Sequence, residues 1–204
     1  MPTDSSEVDP LELTPGAQRI LEVASELFYR RGIHAVGVDT IAAESGVTKR
    51  TLYNRFGSKD NLLRIYLETR DRRWRELIAD RLAKEDKEEG DPLRRVLTPF
   101  AVLPEWLTES DRGCSFVNAF AELPERDHPG NQVIRTEKKW LREFFHDRIV
   151  EAGIAEPTAR TLSVQLLALH EGAIVSNAIA EESGAARAVT EAASALVGAA
   201  LPAR

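Results

Sequence analysis

Several things are scarce in this chain. A single cysteine, Cys114, among 204 residues excludes an internal disulfide framework, a CxxC redox pair and any zinc site built from several cysteines. It also points to a reducing, cytoplasmic setting. Uncharged runs are short: the longest, Ala192–Ala203, has twelve residues, against the ~20 that a membrane-spanning helix needs. No membrane partner is expected. The opening residues, MPTDSSEVDP, are acidic and polar, which is not the pattern of a secretory signal. Also missing are GxGxxG, a phosphate-cradling P-loop and GxSxG. His34, His128, His146 and His170 show no metal-ligand spacing; His170–Glu171 begins an HExxH, but Ile174 stands where the second histidine must be. Every mechanism-bearing motif is absent, so no catalytic residue, metal or cofactor is expected.

Net positive charge is lacking too. Lys and Arg number 27 against 33 Asp and Glu, a formal net charge of −6. An acidic chain has no general attraction for nucleic acid, so such a role must rest on local charge. The first 75 residues hold 12 of the cations and 11 of the acids, and Ser45–Lys59 contains Lys49, Arg50, Arg55 and Lys59 with no acid. On charge alone, a solvated helix face explains these four residues equally well.

What the chain does have is helical periodicity. Ala17, Ile20, Leu21, Ala24, Leu27 and Phe28 recur at i, i+3, i+4 and i+7 behind Thr14–Pro15, an N-cap followed by Pro in the first turn, and Gly32 ends the helix. A short helix follows from Val38 to Ser45, stopped by Gly46. A second short helix, capped by Thr48, carries Leu52, Tyr53 and Phe56 and ends at Gly57. Ser58 opens a long helix with Leu62, Leu63, Tyr66, Leu67, Trp74, Leu77 and Ile78 on one stripe. The charged run Lys84–Asp91 reads as its solvated end or a linker. Beyond Pro92 the pattern stays helical, with breaks expected at Pro104, Asp111–Gly113, Pro124–Gly130, Gly153–Pro157 and Ser183–Gly184. Sustained alternation is absent. The expectation is an all-α protein of about nine helices.

Gly37–Phe56, GVDTIAAESGVTKRTLYNRF, reads as helix, turn, helix. Gly46 can take the positive φ that swings the chain sharply, and Ile41, Ala42, Val47, Leu52 and Phe56 supply a small core holding the two helices at a steep angle. Lys49, Arg50, Tyr53 and Asn54 remain outward, with Thr51 and Arg55 at the edges. Placed in a major groove, Arg or Lys reads guanine and Asn reads adenine. Thr48, Tyr53 and Lys59 suit phosphate oxygens. Distant acids are screened over ~8 Å at physiological salt, so an acidic bulk does not forbid binding.

From about Ala17 to Leu63, the segments ILEVASELFYRRGI and DTIAAESGVTKRTLYNRFGSKDNLL resemble the DNA-binding domain of TetR-family (tetracycline-repressor-like) transcription regulators. The resemblance implies an N-terminal three-helix DNA-binding domain with a helix-turn-helix, a C-terminal helical ligand-binding and dimerisation domain, and a homodimer on a double-stranded DNA operator. The function expected here is that of a sequence-specific transcriptional regulator, a repressor released from a palindromic operator by a small-molecule effector. On this reading residues 1–13 are a flexible tail, 14–60 the DNA-binding domain (helix-turn-helix 37–56) and 61–204 the effector and dimerisation domain. Two departures stand out. Gly37 replaces the Ser or Thr usual at the second helix's cap, and Arg50 replaces a common Gly, adding a base contact particular to this chain. Asp39 is read as complementing the helix dipole. An all-α scaffold without DNA binding is the alternative; it gives no reason for four cations and no acid in Ser45–Lys59.

The second half resembles the family weakly. RGCSFVNAFAEL, then HPG, is similar to a subgroup of TetR-type regulators sharing a GC.F.NA.AE pattern. The helix Cys114–Leu123 is expected to pack centrally. Candidate effector-pocket residues are Phe100, Trp106, Cys114, Phe116, Asn118, Phe120, Trp140, Phe144, His170 and Glu171: aromatic walls with a few polar anchors. The competing reading is plain core for the aromatics and for Cys114. His170 and Glu171, on an apolar helix, need partners or a ligand. The last two helices, about 158–201, are expected to form the dimer interface; eight of the sixteen residues from Ala185 to Ala200 are alanine, which permits close approach.

Overall fold

The computed structural model describes residues 13–87, 91–123 and 125–202. The expected N-terminal tail, residues 88–90 of the expected linker and the break at Pro124 fall wholly or mostly outside them. Among the described residues there are ten helices and no strand. Two compact units divide them: one takes the chain up to Asp71 together with Ser115–Ile134, the other Arg72–Cys114 together with the chain from Arg135.

In the first unit, α1 (Pro15–Arg31) starts on Thr14, whose hydroxyl accepts from the Ala17 amide, and ends at Gly32 with φ 89°. Its buried residues are the six of the expected stripe. α2 (Val38–Ser45) and α3 (Lys49–Phe56) follow, then α4 (Lys59–Lys87). Leu62, Leu63, Ile65, Tyr66 and Leu67 at the start of α4 are buried, so the apolar turn just after residue 60 belongs to the same core as α1–α3. α7 (Ser115–Glu122) and the start of α8 (Pro129–Glu151) complete this unit. Asn131 is buried there and donates to the carbonyls of Leu123 (2.9 Å) and Glu125 (2.8 Å), closing the turn into α8.

The second unit holds the rest of α4, α5 (Pro92–Val96), α6 (Thr98–Thr108), the remainder of α8, α9 (Glu156–Ile179) and α10 (Ala185–Ala200). Its core joins Trp74, Ile78, Phe100, Leu141, Phe145, Leu166, Ala193 and Val197. One expected boundary fails: α6 runs through Pro104, and the break comes at Leu97 instead. Pro104 removes one backbone donor, but it is exposed, and the neighbouring Leu103 and Leu107 are buried on one stripe that holds the turn closed. The described residues thus hold ten helices, against the expected count of about nine. By length and composition α9 could cross a membrane; Leu162, Leu166, Ala173 and Ile174 on it are buried and Glu171 is ion-paired.

Candidate nucleic-acid interface

The corner between α2 and α3 is built by one glycine. Gly46 sits at φ 71°, ψ 26°, a left-handed conformation that costs other residues ~1–2 kcal/mol. There the amides of Gly46 and Val47 bond the carbonyls of Ala43 (3.1 Å) and Ala42 (3.0 Å), sealing the end of α2. Thr48 then opens α3, its hydroxyl accepting from the Thr51 amide at 3.1 Å. Ile41, Ala42, Leu52 and Phe56 are all buried beneath the corner, and Val47 is half-buried. Of these, Ile41, Leu52 and Phe56 each contribute about 1.5–3 kcal/mol by burial. The result is a rigid platform only two turns long.

That platform leaves one face of α3 in solvent. Lys49, Arg50, Asn54 and Arg55 are exposed, Tyr53 is 47% exposed and Thr51 is half-buried. Tyr53 is therefore a surface residue and not core. Arg50 and Arg55 have no ion-pair partner among the described residues, so both guanidinium groups are available to an anion. Lys49 is different: its Nζ lies 2.6 Å from Asp39 Oδ1, and this hydrogen bond raises the ammonium above the usual lysine pKa. Asp39 does stand in the first turn of α2, where it suits the helix dipole, but it also holds the lysine across the corner.

Lys59 makes a contact within the protein that its spacing does not foretell. Its ammonium donates to the Ile33 carbonyl at 2.6 Å and lies 5.9 Å from the centre of the Phe28 ring. Burial holds its pKa below the usual value, against the opposing pull of Asp60 and Glu122. Sequence spacing shows a cation in the first turn of α4 but not the carbonyl 26 residues earlier that engages it. Two further ties were not anticipated. Asn61 donates to the Phe56 carbonyl at 2.9 Å, and Glu122 accepts from the His34 amide at 2.8 Å. In the sequence, Glu122 stands out only as the final acid of RGCSFVNAFAE.

The ten candidate pocket residues are divided between the two units. Phe116, Asn118 and Phe120 lie in the first unit. Phe116 is buried and Asn118 half-buried, but Phe120 is 52% exposed, because the buried stripe of α7 runs through Ser115, Phe116 and Ala119 and turns Phe120 outward. α7 thus does not pack centrally on every side. In the second unit Phe100 stacks near Phe145 (5.5 Å) and His170 (5.8 Å). Half-buried Trp106 lies 5.0 Å from Trp74 and borders a cleft of about 210 Å³ with Arg73, Leu77 and four carboxylates. Trp140 and Phe144 form a pair 5.7 Å apart, with the Arg75 guanidinium 4.4 Å from the Trp140 ring.

Cys114 and Glu171 meet on Lys138. Its ammonium is 2.7 Å from Glu171 Oε1, 2.9 Å from Glu137 Oε2 and 3.6 Å from Cys114 Sγ. Burial alone would lower the lysine pKa, but the Cys114, Glu137 and Glu171 charges raise it well above the usual value. Burial would likewise raise Glu171, yet the adjacent His170 ring and the Lys138 ammonium take it down to about 2. His170 is buried at 5.3 Å from the Trp74 ring, and burial lowers its pKa, keeping it neutral. Neither ring nitrogen has a hydrogen-bond partner among the described residues; Glu171 Oε1, at 3.6 Å from Nδ1, is beyond reach.

Known proteins agree with this geometry. Residues 20–64 match the family model described as bacterial regulatory proteins, tetR family. The transcriptional repressor DhaR of Mycobacterium sp. (strain GP1) is 28% identical over 160 residues, 76% of either chain. The TetR-family regulator SCO4454 of Streptomyces coelicolor superposes with a TM-score of 0.78 at 24% identity, over 92% of this chain and 90% of its own. A TetR-type regulator from Streptomyces avermitilis (sav143) gives 0.74 at 27% identity, over 92% of this chain and 98% of its own.

Proposed function

We propose that this chain is a DNA-binding transcriptional regulator of the TetR type, a cytoplasmic homodimeric repressor that acts by binding rather than catalysis; the matched segment and the similar regulators support this. One observation carries the reading: within the matched segment, the exposed face of α3 presents Arg50, Tyr53, Asn54 and Arg55 over a fully buried platform. Residues 14–60 form the reading head. Arg50 and Asn54 meet base edges, while Thr48, Thr51, Tyr53 and Arg55 meet phosphates. Lys49 joins them when DNA displaces Asp39, and Lys59 acts mainly by holding the head together.

The dimer forms through α9 and α10. Val164, Val175 and Ile179 are exposed on α9 and lie within ~60° of one another around the helix. On α10 exposed Leu196 stands among exposed alanines, so a second copy can approach closely. Two copies then set two heads ~34–36 Å apart on successive major grooves of a palindrome. A small effector held in the second unit, with His170 and Glu171 as its polar anchors, shifts α4 and lowers operator affinity, and by linkage DNA weakens effector binding by the same factor. DhaR, a repressor by name, supports repression over activation.

Selection from a randomised duplex pool tests the reading. A palindrome with half-sites about one helical turn apart is expected to emerge. A pool that stays unenriched would support an all-α scaffold instead.

A further inference from the structure

The peptide group between Ile33 and His34 is gripped at both ends. Its carbonyl accepts from Lys59 Nζ at 2.6 Å, and its N–H donates to Glu122 Oε2 at 2.8 Å. The first partner opens α4; the second is the last residue of α7, 88 positions away in sequence. The peptide lies in the connection between α1 and α2, which aims the helix-turn-helix. Glu122 also occupies space that only glycine leaves free: a Cβ on Gly32 would stand 3.0 Å from Glu122 Oε1, and Gly32 has φ 89°. The carboxylate is therefore seated in the turn and does not merely lie beside it. A cleft of about 260 Å³ surrounds the grip, bordered by Leu63, Asp60 and His128, whose Nε2 is 3.5 Å from Asp60.

We propose that Glu122 and Lys59 are positioning residues for DNA recognition, and that the gripped Ile33–His34 peptide is the joint through which α7 fixes the orientation of the reading helices. The inference rests on the DNA-reading function above and deepens it by naming where regulation enters the head. α7 suits that task by its connectivity. It begins one residue after Cys114, which lies beside Lys138 in the Lys138–Glu171 cluster proposed to anchor the effector. A change in the seat of Glu122 turns the α1–α2 connection. No DNA contact by either residue is required.

The test uses the full-length protein and the duplex that the wild type selects from a randomised pool, both as the whole palindrome and as a single half-site in fixed flanking sequence. Fluorescence anisotropy gives each affinity, and thermal melting is recorded beside it. Glu122→Ala removes the acceptor; Glu122→Gln keeps one for the His34 amide. The expected result is a loss of about tenfold or more for Glu122→Ala on the palindrome with half-site affinity unchanged, a relaxed preference for half-site spacing, and recovery to within about threefold in Glu122→Gln. A general loss of folding would weaken palindrome and half-site alike, and that result overturns the joint, as does an unaltered palindrome affinity in Glu122→Ala. If the wild type selects no duplex, the DNA-reading function itself fails and takes the joint with it; if it selects one and only the Glu122 contrast is missing, the joint alone is wrong.

Discussion

At the residue scale the decisive contrast is between three neighbouring cations. Arg50 is exposed and available, Lys49 is held by Asp39, and Lys59 is spent on a backbone carbonyl. Arg50 and Lys49 predict different outcomes in DNA titration. Arg50→Ala is expected to cost about 1–3 kcal/mol on the selected duplex and to flatten base preference at one position per half-site. Asp39→Asn spares the cost of breaking the Lys49 ion pair, so binding to all sequences tightens, while Lys49→Ala flattens the slope of log K against log salt by about 0.9 for each copy. A slope unchanged in Lys49→Ala would show that Lys49 never reaches phosphate. This division was not legible in the sequence, which shows that Lys49, Arg50 and Lys59 are cationic but not which carbonyl or carboxylate each can reach. His170 is a second residue-scale case. Its folded pKa lies below the ordinary ~6.5 because burial disfavours the charged form. Below pH ~6.5 the unfolded chain therefore binds more protons than the folded one, so stability falls with falling pH toward the depressed folded value. His170→Leu should stabilise the fold by about 1 kcal/mol, since two unpartnered buried nitrogens disappear, and should lessen that acid sensitivity. Melting curves between pH 5 and 8 measure both effects.

At the scale of elements, the reading head was the most legible part. The buried stripe of α1, the Thr48 cap and the Gly46 corner are local devices, written within a few residues of where they act. Gly46→Ala isolates one of them. Nothing lies within 4 Å of a Cβ built there, so the only cost is the left-handed backbone, about 1–2 kcal/mol, and DNA affinity should fall with it. An alanine variant with wild-type stability and affinity would mean that the corner does not depend on the glycine. Less legible were features decided by tertiary packing. Pro104 reads as a breaker in isolation, yet Leu103 and Leu107 keep α6 continuous through it. Phe120 reads as pocket wall, yet the buried stripe of α7 turns it to solvent. Glu122 gave no local signal because its partner is a backbone amide 88 residues distant. Helix existence follows from periodicity; which face finds which partner does not.

At the scale of the whole molecule, the proposed homodimer brings two small cationic faces to one duplex. Ile179 on α9 is 80% exposed, far more than a core helix normally leaves on an apolar residue. Ile179→Arg should convert the dimer to a monomer in sedimentation equilibrium and weaken palindrome binding while sparing half-site binding; a dimer that survives would move the interface off this face. The most direct measurement of the central claim is the sequence recovered from a randomised duplex pool by the wild type beside that recovered by the double variant Arg50→Ala, Asn54→Ala. DNA reading by α3 predicts a two-fold symmetric site with half-sites about 10–10.5 base pairs apart for the wild type, and loss of base preference within each half-site for the variant. The same site recovered by both proteins would contradict it.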